Sequence, residues 1–201
     1  GERGTAMNSL PLAATMDRMI PWGIIVFLPV FFSLAVPGWA VEIGEEELGI
    51  TADFTYVSKY IWKGYDLLDD HGAFQPSLTL DYRGFYAGVW GSWATSSGFV
   101  DADELDYYLG YAHSFFEDQW YAVDADLSWY YYDFPRSDSH AGDDEISDSQ
   151  EIGLVLSMPN LIPLGPSNLV PSYSIAYDWD GIQSHEDVDN GWIHSFGLAY
   201  D

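Results

Sequence analysis

Seven acidic residues occupy alternate positions in strand-like stretches of this chain: Asp53, Asp81, Asp106, Asp124, Asp126, Glu151 and Asp178. Alternate strand positions share a face, so these carboxylates are predicted to stand beside small and polar neighbours such as Thr51, Thr79 and Ser128. Lys59 is the one cation predicted to accompany them. A carboxylate taken out of water without a partner is costly. The set therefore predicts one of two interiors. One is a wetted, acid-lined lumen that prefers cations. The other is a closed, hydrogen-bonded plug, because eight strands enclose little more room than side chains need.

Other residue types offer less. Oxygen-rich runs occur at Asp66, Asp69, Asp70 and His71, and at Asp101, Asp103 and Glu104. Two more lie at Asp138, His140, Asp143, Asp144 and Glu145, and at His185, Glu186, Asp187 and Asp189. Such donors suit calcium or magnesium, yet none shows the spaced ligands and central glycine of an EF-hand loop. A solvated acidic surface is the simpler expectation, and no metal ligand is assigned. For acyl chemistry, His113-Ser114 and His194-Ser195 put base and nucleophile side by side. Adjacent strand residues point to opposite faces, and no G-x-S-x-G turn is present. No catalytic residue, no cofactor and no enzyme activity are expected.

Charge narrows the partners. Six Lys and Arg stand against 32 Asp and Glu, a formal net charge of −26. Phosphate binding needs a basic surface, so nucleic acid is not an expected partner, whereas cations are. There is no cysteine, which excludes a disulfide scaffold and a thiolate metal site.

These carboxylates need strands to hold them. The clearest pair is Phe74–Tyr82 and Phe85–Trp93, each with one apolar and one polar or small face, joined by Arg83-Gly84. Two residues suffice only for a tight hairpin turn. The same alternation predicts strands over Leu48–Trp62, Leu105–Ser114, Trp120–Tyr132, Ser149–Met158, Leu169–Trp179 and Trp192–Tyr200. Long polar connections alternate with shorter, less charged ones, as in outer-membrane barrels. Trp62, Trp93, Trp129, Trp179 and Trp192 fall near strand ends next to the long connections, with Tyr82, Phe85 and Tyr200 near the opposite ends. Amphipathic rings at two heights predict the girdles of a membrane barrel. The expected fold is therefore all-β, an antiparallel transmembrane β-barrel with eight visible strands.

The N-terminal segment reads differently. Residues 1–15 carry no usable pattern. Residues 16–40 combine Arg18, an apolar run from Ile20 to Val36 and the small-residue site Gly38-Trp39-Ala40. This is the pattern of a secretory signal peptide cleaved after Ala40. A membrane-anchoring helix is the alternative, against which Pro21, Pro29 and Pro37 count. Residues 41–201 are the expected barrel domain, placed in a bacterial outer membrane with lipid as its surroundings.

Several short motifs resemble a known family. Trp62-Lys63-Gly64, Gln75–Leu78, Gly84–Trp93, Asp103–Tyr107 and Tyr130–Pro135 look like the TorF-type porins of Gram-negative bacteria. The resemblance spans Leu48 to Tyr200. It implies an outer-membrane barrel with a pore role that is itself largely inferred in that family, and it implies further strands. Eight strands is an allowed number for closure, but Asp201 follows the last aromatic, and continuation beyond it is the expectation. The expected function is passive diffusion of small solutes or cations. The alternative is a closed structural or surface-interaction barrel whose acidic loops meet partners or divalent ions.

Overall fold

The computed structural model describes residues 32–35, 39–43, 46–137, 147–181 and 190–200. It is all-β. The long strands are β3 (Glu46–Val57), β6 (Ala73–Tyr82), β7 (Phe85–Ala94), β8 (Glu104–Phe115) and β9 (Val123–Asp133), followed by β10 (Ser149–Ser157), β12 (Ser167–Asp180) and β13 (Gly191–Tyr200). Each pairs antiparallel with its neighbour in the chain, so the sheet is an up-and-down meander. All eight predicted strands are present, with small shifts at their ends.

Shorter pieces decorate this sheet. β1 (Phe32–Ala35) and β2 (Trp39–Ile43) lie antiparallel along the outer edge of β3. Part of the expected leader thus supplies paired backbone, while the rest of it lies outside the described residues. β11 (Ile162–Leu164) pairs with the start of β12. β4 (Ile61–Trp62) and β5 (Tyr65–Asp66) form a separate small hairpin. A 3-10 segment, Ser97–Ala102, links β7 to β8. Among the described residues no ladder joins β13 to β3, so the sheet is open where a barrel would close.

Polarity is inverted relative to a soluble core. Phe54, Leu78, Leu80, Val89, Leu109, Leu127, Ile152, Phe196 and Leu198 are exposed on one face. On the other face Gln75, Asp81, Ser92, Glu104, Asp106, Ser128 and Glu151 are buried. The sheet curls toward that polar face, since its side chains meet across an intervening strand. Tyr86 of β7 donates to Asp126 of β9 at 2.8 Å, and the Thr79 and Tyr108 hydroxyls of β6 and β8 are 2.5 Å apart.

Two predicted boundaries are corrected. The first strand ends at Val57 instead of running to Trp62. Val57 and Tyr60 are buried with Leu68 and Ala73 in an apolar cluster at the long-loop end, which turns the chain inward. The fifth strand starts at Val123 instead of Trp120. Phe116 adopts a left-handed φ of 56°, and the amides of Gln119 and Ala122 are spent on turn carbonyls. The Arg83-Gly84 turn is as expected: φ values of 53° and 85° match the twist of its strands.

Glycine makes room for the tyrosines that cross the polar face. A Cβ on Gly110 would meet the Tyr86 ring, and one on Gly88 would meet the Tyr108 ring. At Gly153 it would meet only ordinary contacts of 3.7–3.8 Å. Gly110→Ala should therefore destabilise the refolded protein by about 1–3 kcal/mol, the usual cost of overpacking. Gly153→Ala should be neutral or stabilising by about 0.4–1 kcal/mol, as for a compatible glycine site. Urea titrations that rank the two alike would refute this division.

Candidate functional site

Register places the polar groups in rows across the sheet. One row runs Thr51, Thr79, Gly88, Tyr108, Tyr130, Glu151 and Asp178. The next runs Asp53, Ser77, Trp90, Asp106, Tyr132 and Ser149. Strand pleating puts both rows on one face. The rings of Tyr108 and Tyr130 lie 5.6 Å apart, and those of Tyr130 and Tyr132 are stacked at 5.9 Å. The result is a wall of phenols interrupted by carboxylates.

The β4–β5 hairpin folds over this wall at the long-loop end. Tyr60 donates to Glu104 at 2.8 Å and packs on Trp90 at 5.9 Å. Trp62 meets Tyr132 edge-on at 6.1 Å. Lys63 pairs with Glu151, lies 3.7 Å from Asp178 and stands 4.2 Å over the Trp62 ring. A side chain that follows the first long strand thus reaches the fifth and sixth places beyond it in the sheet. Burial, with Glu104 beside it, pushes the Tyr60 phenol well above its ordinary range, which keeps it a donor.

The predicted residues divide into three groups. Asp53, Asp81, Asp106, Asp124, Asp126, Glu151 and Asp178 all lie on the polar face. Ser114 donates to Asp124 at 2.6 Å, and Tyr86 holds both oxygens of Asp126. Among the described residues Asp106 and Asp178 each keep one buried oxygen without a hydrogen-bond partner. Lys59 is displaced from the predicted wall: it lies beyond β3 and pairs with Asp66 at 3.0 Å and with Asp70. Of the predicted girdle, Trp93 and Trp192 are exposed on the apolar face and Trp129 and Trp179 are half-buried there. Trp62 departs from the predicted girdle and packs against Tyr132 on the polar face.

The loops also sort. Asp66, Asp69 and Asp70 bring carboxylate oxygens within 4.8 Å of one another, but Lys59 already compensates two of them. Hydrogen bonds to Asp70 and then Asp66 raise the Lys59 ammonium above its ordinary value. Burial would push Asp66 up, yet the Lys59 bond and the amides of Asp70 and Leu68 hold it below. By linkage, Asp66 stabilises above the ordinary carboxylate range and loses that as pH falls through its folded value. Lys59 contributes below the ordinary ammonium range and loses it as pH rises through its own, so the contact spans neutral pH. Asp103 is structural: it accepts from the Ala94 amide at 2.9 Å and pairs with Arg136 at 2.9 Å. The acidic runs at 138–145 and 185–189 lie outside the described residues. His113 and His194 stand on the apolar face, with Ser114 and Ser195 on the other.

Lys63, Tyr60, Tyr130 and Tyr132 were not singled out as site residues, and Glu104 only as a member of an oxygen-rich run. One signal was available. Of six Lys and Arg, Arg3 and Arg18 precede residue 41, leaving Lys59, Lys63, Arg83 and Arg136 against 30 acids. In such a field a lone lysine beside a tryptophan is a natural partner for interior carboxylates.

A curled antiparallel sheet with a carboxylate–phenol face and an apolar back defines the class of protein. Residues 44–196 match the family described as a bacterial protein of unknown function (Gcw_chp), and the chain belongs to it. No curated protein and no solved structure matches the chain.

Tyr60→Phe removes the hydroxyl that Glu104 accepts and leaves a buried carboxylate short of a donor. The expected loss is about 1–3 kcal/mol in urea unfolding. A change below about 0.5 kcal/mol would mean that water replaces the phenol.

Proposed function

We propose that this chain is a small porin-like β-barrel of the bacterial outer membrane, which passes cations or small solutes through an acid-lined lumen. The observation that carries the reading is the inverted polarity. Among the described residues, 25 large apolar side chains are exposed, against seven buried apolar ones. Water penalises such a surface and lipid does not. Strand lengths of nine to fourteen residues meet the roughly 9–11 needed to cross a bilayer. No helix among the described residues is long and apolar enough to cross a membrane.

Closure follows the same logic. Open edges are not viable in hydrocarbon. Cleavage after Ala40 would lift β1 from Asp53–Tyr56 and leave only Val41–Ile43 of β2 on the start of β3, so most of that edge then becomes available to a closing strand. The resemblance to TorF-type porins points the same way. A second reading rests on the hairpin: with Lys63 fixed to Glu151 and Asp178 the lumen mouth is filled, and the barrel would be a closed structural element.

Planar-bilayer recording separates the two. Conduction should favour potassium over chloride, and Asp124→Asn with Asp126→Asn should lower that preference. Two residues apart on one strand, their fields add, and high salt should blunt the effect. Reversal potentials unchanged by the double substitution would take these carboxylates off the permeation path. Orientation has its own readout. Ser97→Cys, in a long connection, should react with an impermeant maleimide on intact cells, and Glu117→Cys, in a short one, should not. The reverse pattern would invert the topology.

A further inference from the structure

The structure already holds one ammonium in a built setting, its own. The Lys63 nitrogen sits between Glu151 and Asp178, which are direct partners across β10 and β12, with the Trp62 ring against it. The side chains of Lys63, Glu151 and Asp178 are 29%, 12% and 20% exposed, so the pair is largely withdrawn from water. Carboxylates paired with an aromatic face are the ordinary recognition elements for organic ammonium groups.

The surroundings offer more capacity than Lys63 uses. Among the described residues one buried oxygen of Asp178 has no hydrogen-bond partner, and the same is true of one oxygen of Asp106, a residue only 7% exposed on the same face. Tyr130 stands directly opposite Glu151, and Tyr132 directly opposite Asp106. Further down the same face lie Asp126 and Asp124. Metal ions that demand a closed shell of oxygens would find phenol rings here, whereas an alkyl chain carrying ammonium groups fits rings and spaced carboxylates together.

Lys63 occupies the pair from within the chain. It lies at the tip of the β4–β5 hairpin, whose flanking residues Tyr60 and Leu68 are held in the buried cluster, and its covalent tether gives it an effective concentration in the millimolar range. We propose that Glu151 and Asp178 form a binding site for linear di- and polyamines, which Lys63 fills from within the chain until an external ammonium displaces it. This rests on the barrel reading, in which the site lies at the lumen mouth and its occupant decides access. Exchange of one ammonium for another keeps the charge balanced, so no carboxylate is stranded at any stage.

The test uses putrescine dihydrochloride and the full chain refolded in detergent, with calorimetry as readout and 1,4-butanediol as the uncharged control. Lys63→Met should bind putrescine at least about tenfold more tightly than the unaltered protein, the effect of removing a millimolar internal competitor. Adding Glu151→Gln and Asp178→Asn to Lys63→Met should abolish binding, and the diol should not bind to any form. Equal affinity with and without Lys63, or binding that survives loss of both acids, overturns the site. Should Lys63→Met fail to refold, hydrogen exchange on the unaltered chain decides. Putrescine should speed exchange of the Leu67 amide, which donates to the Tyr60 carbonyl at 3.0 Å within the hairpin. Unchanged exchange overturns the proposal. Bilayer recording of the same proteins keeps the two readings apart. Binding without conductance removes the pore and leaves the site; conductance insensitive to putrescine in Lys63→Met removes the site and leaves the pore.

Discussion

A carboxylate withdrawn from bulk water must be met by a donor or a cation, and the polar face of this sheet is organised by that requirement. Tyr86 serves Asp126, Ser114 serves Asp124, Tyr60 serves Glu104, and Lys63 serves Glu151. Outside the strand wall the same rule holds: Asp148 accepts from Tyr131 at 2.7 Å and from the Phe134 amide at 3.0 Å. Phenols supply half of these contacts, so the face remains strongly negative even where its oxygens are met, and one buried oxygen each of Asp106 and Asp178 has no hydrogen-bond partner among the described residues. Lysine at these positions would neutralise the field as well as the hydrogen bonds. With 15 tyrosines and six Lys and Arg in the whole chain, composition already leans toward donors that bring no charge.

That solution has steric consequences. A tyrosine can reach a polar group two strands away only by lying flat across the intervening strand, which is why Gly88 stands beneath Tyr108 on its way to Thr79 and Gly110 beneath Tyr86 on its way to Asp126. On the opposite face nothing comparable is required. Its side chains need only be apolar and about the right size, and rings meet where neighbours permit, as for Phe85 with Tyr111 and Tyr173 with Phe196. One face is specified by directional contacts and the other by solvent preference.

This asymmetry explains what the sequence disclosed. The eight strands were legible because period-two alternation is a local signal that survives in each segment, and Arg83-Gly84 declared its turn through residue types alone. Which carboxylates share a face followed from the same parity. The inward fold of Tyr60, Trp62 and Lys63 was not legible. Extended alternation through Ser58 read as continuing strand, and the contacts that break it lie 44 and 88 residues away at Glu104 and Glu151. Lys59 was misplaced for the same reason, since its partners in the next loop outweigh its parity. Closure of the sheet is likewise a property of edges, and strand periodicity carries no record of which edges meet.

The phenol wall has an optical consequence. Tyr130 and Tyr132 are parallel within 8°, and Tyr108 lies 32° from Tyr130 at a similar spacing. Chromophores held this close in a fixed chiral arrangement couple their transition dipoles, and Trp90 and Trp62 approach through Tyr60 and Tyr132. Such an array rotates near-ultraviolet light only while the strands stay in register and the hairpin remains seated over them. The polar face therefore carries its own spectroscopic reporter, sensitive to the order of its side chains.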